Sequence, residues 1–345
     1  MAKESLAVTY RPKTFNDMTE QSAIKDILCN QIETKTFKHG YLFTGPAGTG
    51  KTTSARIFAN MINEGKGNPI EVDAASNSGV DNIRQIIDDA KRKPLDAEYK
   101  IFIVDECHSL SNGAWQALLK TLEEPPKFTI FIFCTTDPQK IPNTILSRVQ
   151  RYNFQKISNK GIYERLHTIL ETESDKIDNL SSQLNWEQDA LEYIAKVCNG
   201  GMRDAITLLD KCLSLSHDLT LENVLKTIGA EDYTTFITFL SALEGKVKVS
   251  AVRIIETVYN AGKDVKQFLK DFAKFVLEVE KYALYKNFTY ISLPNTLENE
   301  LEQLIGDSLF DVMNFVVSLN NQIKWDSDPK TLIELSILIY CGKEN

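Results

Sequence analysis

A doubly wound α/β domain followed by two all-helical parts is the architecture this 345-residue sequence predicts. Three observations carry that expectation. Short continuous apolar runs, 41–44, 101–104 and 129–134, alternate with helical patterns, as strands of a parallel sheet covered on both faces do. A glycine-rich stretch at 45–50 sits directly between the first run and a helical pattern from Lys51 to about Ile62. Beyond Phe154 the strand signals fade and helical spacing takes over. The length suits two or three domains, and the changes of pattern place them at 1–155, 156–225 and 226–345, with linkers near 155–158 and 218–232.

Composition narrows the function classes. The formal charge is −8, and residues 1–155 carry 19 basic and 18 acidic side chains, so the carboxylate excess lies further on. That excludes an overall basic nucleic-acid coat and leaves room for a local basic surface. A hydrophobic content of 43% with 25% charged residues belongs to a folded chain. No apolar run approaches the ~18–20 residues that span a bilayer, and the start Met-Ala-Lys-Glu-Ser-Leu lacks the apolar core of a signal peptide. The six cysteines form no Cys-x-x-Cys pair, which points to reduced thiols in a cytosol and to neither a zinc site nor a disulfide framework.

The elements follow in order. Tyr10-Arg11-Pro12 is a rigid, proline-containing lead-in. Gly45-Pro46-Ala47-Gly48-Thr49-Gly50-Lys51-Thr52 then fits G-x-x-x-x-G-K-[ST] between a strand and a helix, with Thr53 next in that helix. Glycines let successive N–H groups turn toward one anion, the helix N-terminus adds its positive end, Lys51 reaches the outer phosphates and the Thr52 hydroxyl ligates Mg²⁺. The second run ends in Asp105-Glu106-Cys107-His108. Asp105, at a strand's carboxyl end beside the loop, can hold Mg²⁺, and Glu106 can orient or deprotonate the water that attacks the γ-phosphate. His108 reads as a packing or hydrogen-bonding residue. In the helical part, Asn199-Gly200-Gly201 breaks between two helices. Over 263–280, Val265, Phe268, Leu269, Phe272, Phe275, Val276 and Val279 recur at helical spacing, with Asp264, Lys270 and Glu278 among the residues assigned to the surface.

Six stretches together carry a resemblance: Tyr10 to Asp17, the phosphate loop, Asp73-Ala74-Ala75-Ser76-Asn77, Leu119 to Pro126, Thr135-Thr136-Asp137-Pro138-Gln139-Lys140 and Ser147-Arg148. In this order they resemble the gamma/tau family of bacterial DNA polymerase III, the AAA+ ATPases of the sliding-clamp loader. The resemblance is dense over 1–155, continues through Gly201-Met202-Arg203-Asp204 and is architectural beyond about 230.

It implies a P-loop NTPase domain, a helical lid and a helical collar for oligomerisation, with ATP and Mg²⁺ bound. Thr136 takes the sensor-1 role toward the attacking water or γ-phosphate, where a strand-end cap is the other reading. Arg148 is an arginine finger for the neighbouring subunit's site, against a surface salt bridge. Arg203 is the sensor-2 contact from the lid, against a helix-cap arginine, and Tyr10 and Arg11 line the adenine pocket. DNA contacts fall on Ser76, Asn77, Arg84 and Asn112, where ordinary helix caps are the plainer reading. The partners implied are delta- and delta-prime-like subunits in a pentamer, the sliding clamp and primer–template DNA, in the cytoplasm of a bacterial or virus-infected cell.

The family's four-cysteine zinc module is missing from Asn60 to Pro69, so no zinc is expected. With no long extension, the resemblance is to a gamma-like short form. An AAA+ DNA translocase or helicase, a replication factor C small-subunit-like loader and a non-hydrolysing adaptor are the alternatives.

Overall fold

The computed structural model describes residues 4–176, 184–228, 232–288, 291–306, 308–324 and 326–342. The chain divides into two compact units, Met1–Leu221 and Glu222–Asn345.

In the first unit the elements run α1 (Leu6–Thr9), α2 (Ser22–Glu33), β1 (Gly40–Thr44), α3 (Lys51–Ile62), β2 (Ile70–Asp73), α4 (Val80–Ala90), β3 (Lys100–Asp105), α5 (Asn112–Glu123), β4 (Thr129–Thr135), α6 (Asn143–Leu146) and β5 (Gln150–Asn153). The helices α7 (Asn159–Ser174), α8 (Gln188–Val197) and α9 (Met202–Leu215) come next, and α10 (Leu221–Thr227) begins at the boundary residue and runs into the second unit. Five strands form one parallel sheet in the order β2-β3-β4-β1-β5. Alternate residues of each inner strand face opposite layers. Tyr41 and Phe43 pack with Phe58, Tyr152 and Phe154 on one face, and Leu42 with Phe102, Trp115, Phe131 and Phe133 on the other. With both faces covered, β1, β3 and β4 read as unbroken apolar runs. Beyond Phe154 strands do not vanish entirely: Asn185–Trp186 (β6) and Asp218–Leu219 (β7) form one small parallel pair.

This order fixes where a ligand can sit. From β1 the chain crosses over β4 and β3 to reach β2, and β5 returns to the far side of β1. In an open α/β sheet the crevice lies outside the carboxyl ends of the strands at such a reversal.

The second unit holds α11 (Asp232–Glu244), α12 (Lys248–Asn260), α13 (Val265–Tyr285), α14 (Glu298–Gln303), α15 (Leu309–Ile323) and α16 (Pro329–Tyr340). The Asp264 carboxylate caps α13 by accepting from the Lys266 and Gln267 N–H groups. A cluster of Phe236, Phe239, Phe268, Phe272 and Phe275 forms the middle of its core, with Phe239 and Phe272 centroids 4.7 Å apart. Of the expected linkers, 218–232 covers β7 and α10, and its residues 229–231 lie outside the described residues.

One surface assignment on α13 is corrected. Glu278 is buried, because its carboxylate accepts the Ser292 N–H from the segment that follows the helix and pairs with Lys281 Nζ at 2.6 Å. Helical spacing places it at the edge of the apolar face, and only the returning segment covers it. Glu278→Ala would leave the Ser292 N–H without its acceptor. We expect it to destabilise this unit by about 1–3 kcal/mol in denaturant unfolding, with Glu278→Gln milder. Among the described residues no helix is long and apolar enough to cross a membrane.

Candidate functional site

Two positions in the turn after β1, Gly45 and Gly48, tolerate only glycine. Gly45 has φ +145°, and a Cβ there would lie 2.3 Å from the Phe154 carbonyl oxygen. Gly48 has φ +72°, and its Cβ would press on Gly201 Cα at 3.0 Å. The turn therefore packs against β5's exit on one side and against the start of α9 on the other. Gly45 N–H donates to the Thr135 carbonyl, Thr49 Oγ1 donates to the Pro46 carbonyl, and Met202 N–H donates to the Gly48 carbonyl at 3.1 Å.

Lys51 opens α3 and is only 6% exposed. Its ammonium donates to the Gly45 and Pro46 carbonyls at 2.9 and 2.7 Å, and burial pulls its pKa below the ordinary lysine value. A buried cation held by neutral carbonyls is under-compensated, so an incoming phosphate is a better partner.

Asp105 ends β3. Its carboxylate accepts from Thr52 Oγ1 at 2.8 Å and from the Glu106 N–H at 3.0 Å. Glu106 sits in the left-handed region at φ 45°. Its carboxylate accepts from Thr136 Oγ1 at 3.3 Å and lies 3.3 Å from His108 Nδ1. Burial and the neighbouring carboxylates push the Cys107 and Cys134 thiols up, which makes them inert fillers under the site.

Beside them lies a cleft of about 430 Å³, inside the ~300–1,000 Å³ range of ligand pockets; the expected site residues Gly45, Pro46 and Thr136 do not border it. Ala47, Gly48, Thr49, Gly50, Lys51, Thr52, Thr53, Asp105, Glu106, Tyr10, Arg11 and Arg203 all border it. The two lead-in residues arrive at the end of the short helix α1. The Tyr10 hydroxyl donates to Glu173 at 2.7 Å and accepts from Lys176, and burial, the largest influence, raises its pKa.

The donors fit a nucleoside triphosphate with its Mg²⁺. A glycine cradle admits no side chain, a buried lysine faces it, and a hydroxyl and a carboxylate in contact offer the oxygen ligands that Mg²⁺ takes. Among the described residues no group of three His, Cys, Asp or Glu side chains is arranged to hold a metal ion.

Other expected residues lie elsewhere. Arg148 is absent from the cleft of its own chain; its guanidinium pairs with Glu123 and donates to the Thr144 carbonyl and Ser147 Oγ. The Ser76 hydroxyl donates to Asp73, and the Asn77 amide donates to the Asp73 carbonyl. Arg84 is exposed with Asp81 beside it, and Asn112 begins α5. The Ser111 N–H donates to the Ser78 carbonyl, so the loops before α4 and α5 lie side by side. Sequence reading missed Asp17, Thr19 and Arg165, which also border the cleft. Arg165, on α7, donates to the Tyr10 carbonyl at 3.1 Å, and only its spacing on a lid helix could have signalled it.

A phosphate loop whose strand is separated from the Asp105 strand by one intervening strand, with a lid arginine in the same cleft, defines an AAA+ P-loop nucleotide-binding protein. The fold agrees. A Thermotoga maritima RuvB Holliday junction branch migration motor superposes with a TM-score of 0.51 at 20% identity, covering 68% of this chain and 79% of that one.

Residues 161–218 match the family model for the DNA polymerase III clamp loader subunit ATPase lid domain, and 70–158 match that for the DNA polymerase III delta subunit. The chain is 35% identical to DNA polymerase III subunit tau of Bacillus subtilis, over 99% of this chain and 64% of that protein. Identity to subunit gamma/tau of Mycoplasma genitalium is 35%, over 82% and 50%, and to subunit tau of Escherichia coli 31%, over 76% and 42%. This protein is a homologue of the gamma/tau subunits of DNA polymerase III. It spans between about two fifths and two thirds of the length of these relatives.

Proposed function

We propose that this chain is the ATP-hydrolysing subunit of a sliding-clamp loader, acting within a DNA polymerase III assembly in the bacterial cytoplasm. The observation that carries the reading is the contact of Thr52 with Asp105 beneath the glycine cradle, with Glu106 and Thr136 paired beside it. The homology to gamma/tau subunits supports clamp loading as the use of that cleft.

In this reading residues 1–155 bind and hydrolyse ATP, 156–225 act as the lid, and 226–345 form a collar joining the subunit to delta- and delta-prime-like partners in a pentamer. Lys51 and the loop N–H groups hold the outer phosphates, and Thr52 and Asp105 hold Mg²⁺. When bound there, Mg²⁺ would supply charge neutralisation for the phosphates. Glu106 takes a proton from the attacking water, Thr136 orients that water or the γ-phosphate, and Arg203 reports through the lid whether the γ-phosphate is present. Tyr10 and Arg11 border the base. Arg148, which its own cleft does not use, completes the site of the next subunit.

Ser76, Asn77, Arg84 and Asn112 are proposed to touch the DNA backbone. Phosphate contacts of that kind position the duplex without reading its bases. The test is ATP turnover by the complex copurified with this chain. Stimulation by clamp and primed DNA together, weakening as salt rises, is the expected result. ATP-driven strand displacement by the purified chain, with no clamp effect, would favour the translocase instead.

A further inference from the structure

We infer that His108 is a positioning residue for hydrolysis, its ring setting where the Glu106 carboxylate can rest. The inference rests on the hydrolytic reading above and assigns a task to a residue that reading leaves without one.

The ring lies between the ends of β3 and β4 and is 19% exposed. His108 Nδ1 is 3.0 Å from Thr135 Oγ1 and 3.3 Å from Glu106 Oε2. Thr135 is fully buried, its hydroxyl accepts the Asp137 N–H at 3.0 Å, and the Cys107 thiol also reaches it. Nδ1 thus stands between the Glu106 carboxylate and a buried hydroxyl that the Asp137 N–H already engages, and as an N–H it donates to either oxygen.

The Thr136 hydroxyl meets the same oxygen, Oε2, at 3.3 Å, so the ring and that hydroxyl together fix one oxygen of a carboxylate that borders the cleft. The left-handed backbone at Glu106, φ 45°, is a strained conformation that persists only when its surroundings hold it. Thr135 also accepts the Gly45 N–H through its carbonyl, so one residue touches both the phosphate loop and the ring.

The test is steady-state hydrolysis by the copurified complex carrying His108→Ala, His108→Asn or His108→Gln, with ATP binding measured separately. A general base displaced by about 1 Å loses roughly 10–100-fold in rate. We therefore expect His108→Ala to lose that much kcat while KM and ATP affinity stay within about twofold. His108→Asn places an amide N–H where Nδ1–H was, donates to the Glu106 carboxylate and should recover most of the rate. His108→Gln carries its amide one bond further out and should not. Thermal unfolding of the three proteins separates this pattern from a folding defect, which would lower affinity and rate together without rescue by Asn.

Wild-type kcat in His108→Ala, or an Asn variant as slow as Ala, overturns the inference. A parent complex that does not hydrolyse ATP at all overturns the underlying reading, and this inference with it.

Discussion

Arg148→Ala should leave ATP binding within about twofold of the parent while DNA-stimulated turnover falls by about 10³–10⁵, the range measured for arginine fingers. In its own chain the guanidinium is committed to Glu123, the Thr144 carbonyl and Ser147, and it does not border the nucleotide cleft. An arginine on a surface ion pair contributes little to folding, so the variant should unfold at nearly the parent temperature. In the next protomer's cleft the same group would meet charge developing on the transferring phosphoryl, where a planar guanidinium is most effective. Mixing experiments locate the defect. A subunit carrying Arg148→Ala beside one with an intact site should silence its neighbour's site and not its own. Unchanged turnover in the all-variant complex would refute the role in trans.

Lys51→Ala should weaken ATP binding by about 10–150-fold, the worth of a hydrogen bond to a charged group at ~1.5–3 kcal/mol. The same change should not destabilise the nucleotide-free protein. Burial already depresses the Lys51 pKa, so the folded state bears the cost of an incompletely compensated cation. Removing that cation should hold or raise the unfolding temperature without nucleotide and shrink the rise seen at an ATP concentration that saturates the parent. A large loss of stability without nucleotide would show that Lys51 serves the fold instead.

The nucleotide cleft was legible because each of its parts is local. A strand, a glycine turn and a helix start follow one another over 40–62, and the helix runs over the predicted residues, Lys51–Ile62. Asp105 and Glu106 were readable because β3 is buried on both faces and so ends visibly where the apolar run stops. The edge strands were not. Ile70–Asp73 and Gln150–Asn153 each have one unpaired side; the first carries a carboxylate at alternate positions, the second has Tyr152 as its one apolar residue, and neither leaves a continuous run.

Long-range partners were harder still. Arg165 reaches Tyr10 across 155 residues of chain, and no local pattern announces that contact. Glu278 failed for a related reason: periodicity sees one helix, whereas its burial comes from the Ser292 segment that folds back onto it. His108 was read as a residue that packs or bonds to a neighbouring loop, and it does meet Thr135 at the end of β4. Its position against Glu106 depends on the strand order, which a single sequence does not spell out.

The central proposition is tested most directly by following a labelled ring clamp on nicked, primed circular DNA with the copurified complex. With ATP, the ring should become topologically linked and survive high salt, and it should be released when the DNA is linearised. Without nucleotide, or with Lys51→Ala in place of the parent, no linked ring should form. Equal linkage with and without ATP would contradict the account.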